Sequence, residues 1–298
     1  MIKLFWNTHN QKKPNSSDKK IREKEELDYG WGKYHKKSSD KWIFEILRKV
    51  KYTIIESETE LKKEDVLIIV DSSVEEKTDL YNKLNLSCSK IFLFHLGDEF
   101  GFHNLTPIYS VCNYIWRPFC SSRYLNNNNK VKCIPIGYKS GVLRDKKNSE
   151  RKYKWAFAGT PHKTSRHDLL FQFSTIKPFF CHKTEKFDRN IISADKMNEV
   201  LSSTEFIPCP NGFFHPETYR VYEALECGCI PIVENAYKYY DRLFPTNPFI
   251  KVDKWEDAKP IIQGWGVDQI QKKKKECELW WNEQKKIIQN FISNRINL

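Results

Sequence analysis

The chain has 298 residues, of which 40% are hydrophobic and 14% aromatic, enough to bury the cores of one or two globular domains. This composition excludes an intrinsically disordered chain, a collagen-like chain and a small disulfide-stapled protein. No apolar run approaches the about 20 residues that cross a bilayer, and the start lacks the apolar core of a signal peptide. We therefore expect no transmembrane segment and a cytoplasmic location.

The chain is basic, with a net charge of +12 from 50 Lys and Arg against 38 Asp and Glu. This excess favours an anionic partner, but it fits a solvated Lys-rich surface equally well. No nucleic-acid-binding motif accompanies the basic runs, so we expect no nucleic-acid partner.

The nine cysteines are odd in number and form no Cys-x-x-Cys motif. Several lie in apolar, strand-like segments, for example Cys133 before Ile134. This pattern argues against a disulfide framework and a zinc site, and it favours free, buried thiols in a reducing compartment.

Short β-rich segments alternate with helical ones, which is typical of a parallel α/β fold. In residues 1–140, strands are predicted at Ile2–Trp6, Tyr52–Glu56, Asp65–Val70, Lys90–His95, Tyr114–Pro118 and Val131–Gly137. Helices are predicted at Ser39–Val50 and Ser72–Leu84. These elements predict a first, Rossmann-like domain with one sheet of roughly six strands.

A polar segment over residues 141–153 is the predicted linker to a second Rossmann-like domain, over residues 154–267. Its predicted strands are Lys154–Ala158, Pro178–His182, Glu205–Cys209, Cys229–Glu234 and Phe249–Val252. Its predicted helices are Ser165–Phe173, Ser193–Ser202, Glu217–Cys227, Ala236–Phe244 and Trp255–Gln263. A long helix over residues 268–298 carries an apolar side, which we expect to pack back across the domains.

The segment over residues 203–234 carries the clearest functional pattern. A predicted strand runs into the loop Pro210-Asn211-Gly212, and a helix with Thr218 and Arg220 in its first turn follows. Ligands of open α/β sheets bind at the carboxyl ends of strands, and a helix N-terminus favours an anion. Arg220 suits a diphosphate, and Glu223 on the same helix face suits the hydroxyls of a ribose. Taken alone, this pair also fits a surface ion pair.

The order Thr218-x-Arg220-x-x-Glu223-Ala-Leu, followed by Gly-Cys-Ile-Pro, resembles the signature of the carboxyl-terminal domain of the exostosin-like glycosyltransferases. Upstream, Gly159 after an apolar strand and Arg166 beyond it resemble that family's entry into its second domain. In the first half of the chain, two further elements resemble the ribitol xylosyltransferase branch of the family. They are His95-x-x-Asp98-Glu99 and Pro135-x-Gly137-Tyr138.

The resemblance implies the GT-B fold, in which two Rossmann-like domains enclose a nucleotide-sugar site, and it implies inversion at the anomeric carbon. It further implies a UDP-sugar donor, with xylose as the leading candidate, and an oligosaccharide or other glycan acceptor. We expect no cofactor and no metal, because the chain has no Asp-x-Asp element. The helix dipole and basic side chains would then stabilise the leaving group. The residues expected to bind the donor are Gly159, Lys163, Arg166, Asn211, Gly212, Thr218, Arg220 and Glu223.

Direct displacement of the diphosphate needs one general base beside the acceptor hydroxyl. The predicted strand Lys90–His95 should end at the cleft, and the loop after it carries two acids. Our candidates are Glu99 or Asp98, with His95 third; adjacent acids usually point apart, so one can be structural. Two other functions stay open at this stage: an inactive binding subunit on the same fold, and a basic nucleic-acid-binding protein.

Overall fold

The computed structural model describes residues 1–7, 36–75, 77–119, 129–139, 141–142, 150–185 and 192–297. Within these ranges the chain forms two parallel sheets, one of six strands and one of five. This confirms the predicted α/β class with two Rossmann-like sheets and a long C-terminal helix. Most of the predicted linker, over residues 143–149, lies outside the described residues.

The first sheet has the strand order β2-β1-β3-β4-β5-β6. Its strands are β1 (Ile2–Trp6), β2 (Thr53–Ile55), β3 (Val66–Asp71), β4 (Lys90–His95), β5 (Tyr114–Arg117) and β6 (Val131–Cys133). Its helices are α1 (Lys36–Ile46), α2 (Thr78–Ser87) and α3 (Thr106–Val111), with a 3-10 helix at Glu58–Glu60. Because the strand order reverses after β1, the switch point of this sheet lies between the ends of β1 and β3.

The second sheet has the order β11-β10-β9-β7-β8. Its strands are β7 (Tyr153–Gly159), β8 (Phe179–Lys183), β9 (Thr204–Cys209), β10 (Ile230–Glu234) and β11 (Ile250–Val252). Its helices are α4 (Arg166–Phe173), α5 (Ala194–Ser202), α6 (Tyr219–Glu226), α7 (Tyr239–Leu243) and α8 (Lys259–Gly264), with 3-10 helices at Ala236–Lys238 and Trp255–Ala258. This sheet repeats the topology of the first, so its switch point lies between the ends of β7 and β9.

The last helix, α9 (Val267–Asn297), contacts both halves of the molecule. The indole of Trp281 stacks on that of Trp42 in α1, with 5.6 Å between the ring centroids. The same indole donates a hydrogen bond of 2.9 Å from its Nε1 to Glu226 at the end of α6. One buried aromatic side chain therefore links α9 to a helix of each domain.

Several elements differ from the sequence prediction in their bounds, and three of the differences concern β6, α2 and α3. The strand predicted over Val131–Gly137 ends at Cys133, because the N–H of Ile136 donates to the carboxylate of Glu217 rather than to a strand. Helix α2 begins at Thr78 rather than at Ser72. The sequence does not predict helix α3. This helix has six residues and a Pro in its first turn, so it is too short to show helical periodicity.

The prediction of nine free cysteines is wrong at Cys133, which is disulfide-bonded. Cys120 lies outside the described residues. The other described cysteines are free: Cys88, Cys112, Cys181, Cys209, Cys227, Cys229 and Cys277.

Among the described helices, none combines the length and the apolar character that crossing a membrane requires. The cytoplasmic location expected from the sequence stays a prediction.

Candidate functional site

A pocket lies at the switch point of the second sheet, where the ends of β7 and β9 meet the start of α6. Of the residues predicted to bind the donor, all except Asn211 line this pocket. Asn211 lies beside it, and its N–H donates to Glu234 at 2.7 Å. Of the three candidates for the general base, Glu99 lines the pocket. The described structure thus brings residues of both domains to one cleft.

Two buried arginines, Arg166 and Arg220, lie side by side at the end of β7. Arg220 Nη2 donates to the carbonyl of Ala158 at 2.7 Å, and Arg166 Nη1 donates to the carbonyl of Thr160 at 3.2 Å. Gly159 has a φ of 144°, and a Cβ there would lie 3.3 Å from Arg220 Nη2. Glycine therefore permits both the backbone conformation and the close approach of the guanidinium.

No carboxylate in the described residues forms an ion pair with either guanidinium. Burial lowers the pKa of Arg220, and burial together with the Arg220 charge lowers the pKa of Arg166 to about 9. With a pKa of about 9 the Arg166 guanidinium is charged at neutral pH, and arginine side chains in general keep their proton in proteins. Because a buried charge without a counterion is unfavourable, a bound anion with oxygen acceptors would stabilise this pair.

Glu223 lies one turn after Arg220 on α6 and is also buried, with 3% of its surface exposed. Its carboxyl accepts a hydrogen bond from the N–H of Lys139, while its Oε1 has no partner. Burial raises its pKa to about 8. The alternative of a surface ion pair with Arg220 is wrong, because both side chains are buried and line the pocket unpaired with each other.

Sequence reasoning missed Glu217, a fully buried carboxylate that joins the two domains. It accepts hydrogen bonds from the N–H of Phe119 at 3.2 Å and of Ile136 at 2.9 Å, both in the first domain. The hydroxyls of Tyr222 and Tyr239 donate to it at 2.6 and 2.8 Å. Its backbone partners lie 98 and 81 residues away along the chain, so no local sequence pattern predicts this contact.

Glu99 follows β4 of the first domain and reaches across the cleft. The N–H groups of Phe214 and His215, in the loop after β9, donate to its carboxylate. A Cβ on Gly212 would lie 2.5 Å from the carbonyl oxygen of His215, so glycine permits the tight loop that presents these N–H groups. Burial raises the pKa of Glu99, while these hydrogen bonds and the charge of Lys163 oppose the shift. A carboxyl group with a raised pKa at a cleft is suited to accept a proton.

His95 and Asp98 point away from this pocket into the first domain. Asp98, at a φ of 58°, has its Oδ2 3.4 Å from Arg117 Nη2 and accepts the N–H of Phe102 at 3.1 Å. The Nδ1 of His95 lies 2.7 Å from the hydroxyl of Tyr109, and burial lowers the pKa of this imidazole well below its usual value. Both side chains therefore shape the loop that presents Glu99.

The pocket combines three chemical features. It has two buried cations, a buried carboxyl group with a free oxygen, and a carboxylate held across the cleft by the opposite domain. Such a set can bind an anion, accept hydroxyl hydrogens and take up a proton. Among the described residues, no group of His, Cys, Asp and Glu side chains is placed to hold a metal ion.

Comparisons with known proteins identify a family and proteins of similar fold. Residues 139–296 match the family described as the RXYLT1 C-terminal domain. The fold is similar to that of an α1,3-fucosyltransferase (13% identity, TM-score 0.54, 99% of this chain and 90% of that chain covered). It is also similar to that of HepE from Anabaena in complex with UDP and glucose (8% identity, TM-score 0.51, 100% and 99% covered). No curated protein sequence matches the chain. Since the family match spans more than half of the chain, the protein belongs to the RXYLT1 C-terminal domain family, which is ribitol xylosyltransferase-like, and is a glycosyltransferase of the GT-B type.

Proposed function

We propose that the protein is an inverting glycosyltransferase that transfers a sugar from a UDP-sugar to a hydroxyl of a glycan acceptor, without a metal ion. Xylose is the leading candidate for the sugar. The observation that carries the proposal is the buried pair Arg166 and Arg220, which lacks a carboxylate partner among the described residues and lies at the switch point of the second sheet. The UDP bound to HepE, a protein of similar fold, supports the choice of nucleotide.

In this proposal the donor binds along the second domain. Arg166 and Arg220 bind the diphosphate, with Lys163 as a further cation at the pocket. The backbone at the start of α6, after Thr218, adds the positive end of a helix dipole. Glu223 accepts the hydroxyls of the ribose, which provide the missing partner for its Oε1.

The chemical step is a direct displacement. Glu99 takes the proton of the acceptor hydroxyl while that oxygen attacks the anomeric carbon from the face opposite to UDP. The bond between the anomeric carbon and the diphosphate oxygen breaks, and UDP leaves with the electron pair. The buried arginines stabilise the charge that develops on the diphosphate, so they bind the transition state more tightly than the ground state. The sugar is transferred with inversion.

A thermal-shift panel of nucleotides and nucleotide sugars tests the donor. UDP and at least one UDP-sugar should raise the melting temperature, since a ligand at 100 times its Kd adds about 2.7 kcal/mol of stability. Guanosine and cytidine diphosphate sugars should raise it less. Arg48→Ala removes an exposed arginine of the first domain and is the matched control for Arg220→Ala. This control should keep the UDP response. A flat response to every uridine nucleotide would contradict the proposal.

A turnover assay separates an enzyme from an inactive binding subunit. With UDP-xylose and other UDP-sugars, the protein should release UDP slowly to water and faster when a glycan acceptor is present. Binding of UDP-sugars with no release of UDP under either condition would favour the binding subunit. The absence of nucleic-acid partners stays a prediction, which a salt titration of oligonucleotide binding checks.

A further inference from the structure

Four exposed phenylalanines form a continuous aromatic cluster at the mouth of the cleft. The rings are Phe100 (46% exposed), Phe102 (78%), Phe213 (57%) and Phe214 (53%). Phe100 and Phe102 stack with 5.6 Å between centroids, and Phe213 and Phe214 meet edge to face at 4.3 Å. Phe100 and Phe214 join the two pairs at 3.9 Å. The cluster therefore spans both domains, since the first pair follows β4 and the second follows β9.

The cluster adjoins Glu99 and one of its hydrogen-bond donors. Phe100 is its neighbour in sequence, and the N–H of Phe214 donates to that carboxylate. Phe213 lines the same pocket as the buried arginines, and the Nζ of Lys163 lies 5.3 Å from its ring centroid. The aromatic cluster is thus continuous with the proposed active site rather than a separate patch on the surface.

Exposed rings of this kind need an explanation, because contiguous apolar surface favours association. At roughly 200 Å² per Phe side chain, the exposed parts of the four rings amount to roughly 500 Å². A stable protein–protein interface needs about 800 Å² on each partner, so the cluster alone is small for that purpose. Apolar patches of roughly 300–600 Å² on monomeric proteins are often functional, so a small ligand suits the cluster better than a protein partner.

Sugar rings have a surface that is complementary to the aromatic cluster and to the carboxylate beside it. One face of a pyranose carries C–H groups, whose partial positive charge is attracted to the negative face of an aromatic ring. The rim of the same sugar carries hydroxyls that can reach a carboxylate. We propose that the aromatic cluster is the acceptor subsite, in which a glycan ring stacks its C–H face on the phenylalanines and directs one hydroxyl to Glu99. This inference rests on the proposed glycosyltransferase function and names the part of the site that selects the acceptor.

The test uses saturation-transfer NMR with methyl β-glycosides of glucose, galactose and xylose as probes, in the presence of UDP. Wild-type protein should bind at least one glycoside, with transfer strongest to the C–H protons of one ring face. Phe102→Ser and Phe214→Ser should each raise its Kd at least fivefold. Phe171→Ser is the matched control, because Phe171 is 70% exposed on α4, outside the cluster. This control should bind the glycoside like the wild type.

The UDP-induced melting shift separates the two proposals and reports on folding of every variant. If UDP stabilises all variants but no glycoside binds, or the glycoside binds equally well to all of them, the acceptor subsite is overturned and the donor site stands. If UDP stabilises none of the proteins, the proposed function fails and the subsite fails with it. A wild-type dimer that Phe102→Ser converts to a monomer, with glycoside binding unchanged, would assign the cluster to self-association and overturn the subsite.

Discussion

The two sheets share one topology, yet their switch points are filled in different ways. Between β1 and β3, Asp71 accepts hydrogen bonds from Asn7 Nδ2 at 2.7 Å and Tyr81 at 3.2 Å, and Lys77 Nζ lies 2.7 Å from its Oδ1. Between β7 and β9, by contrast, the described residues give the two buried guanidiniums no carboxylate partner. At the first switch point Lys77 neutralises the charge of Asp71. At the second switch point the charges of the two guanidiniums are left for a ligand to neutralise.

This difference shows that topology offers a binding position without deciding that it is used. The end of a parallel strand becomes a site when the polar groups there are left unsatisfied by the protein itself. The two carboxylates that contact the opposite domain differ in the same way. Glu217 is saturated by four donors and clamps the domains, while Glu99 is held by two backbone N–H groups at an open pocket.

The largest effect is expected from removing the proton acceptor at the cleft. Glu99→Gln keeps an oxygen that can accept the N–H groups of Phe214 and His215, but the amide cannot take up a proton at neutral pH. We expect kcat to fall about 10²- to 10⁴-fold, measured with donor and acceptor saturating. The UDP-induced melting shift should be retained as the control. Turnover near that of the wild type, with UDP binding unchanged, would make the assignment of Glu99 as the base wrong.

At the first switch point we expect an effect on stability alone. Asp71→Ala leaves the ammonium of Lys77, which is 7% exposed, without its counterion. Breaking a buried ion pair on one side costs about 3–5 kcal/mol, which urea unfolding measures. The affinity for UDP should not change while the protein is folded. A variant that lost UDP binding and kept its stability would reveal a ligand at the first switch point and break the comparison.

At the second switch point we expect the main effect on UDP affinity and a smaller one on folding stability. Arg220→Ala removes a hydrogen-bond donor to the diphosphate, and a hydrogen bond to a charged group contributes about 1.5–3 kcal/mol. UDP affinity should fall about 10- to 150-fold, as measured by calorimetry, and kcat should fall as well because the leaving group gains charge. The loss of folding stability should be smaller than for Asp71→Ala, since no buried counterion is left behind. Equal losses of stability and unchanged UDP affinity would assign Arg220 a structural role.

Local patterns in the sequence predicted the parts of the molecule that depend on nearby residues. Strand β4 agrees with its predicted bounds, and seven of the eight predicted donor-site residues line one pocket. Four of the seven lie in the strand–loop–helix unit around α6 and three in or after β7, and both units meet at the switch point between β7 and β9. The placement of Asp98 and Glu99, on which the proposal of Glu99 as the base rests, could not be predicted in this way. It depends on a backbone turn with a φ of 58° at Asp98, which sends one acid toward Arg117 and the next into the cleft.

Contacts between distant segments were outside the reach of these patterns. The local pattern places Glu217 at the start of a helix and predicts nothing further, although its backbone partners lie in the other domain. The aromatic cluster is also invisible in the sequence, because Phe100 and Phe214 are far apart in the chain and meet only through the fold. Pairings of this kind require the relative placement of the two sheets.

The smallest expected effect concerns the pH dependence of stability. Burial raises the pKa of Glu223 from 4.5 to about 8 in the folded protein. Between these pH values the folded chain holds a proton that the unfolded chain has lost, so the free energy of unfolding decreases as the pH rises. One proton gives a slope of at most about 1.4 kcal/mol per pH unit. This contribution is fully present below about pH 4.5 and is lost as the pH rises through about 8.

Glu223→Gln removes this titration and keeps the size of the side chain. The difference in unfolding free energy, wild type minus variant, should therefore decrease between about pH 4.5 and about pH 8 and be flat outside that range. Denaturant unfolding at a series of pH values measures it. Saturating UDP should flatten the decrease for the wild type, because ribose hydroxyls that donate to the carboxylate stabilise its ionised form. Parallel curves for the two proteins without UDP would show that Glu223 titrates normally. The contrast between a self-neutralised and an uncompensated switch point would then rest on the arginines alone.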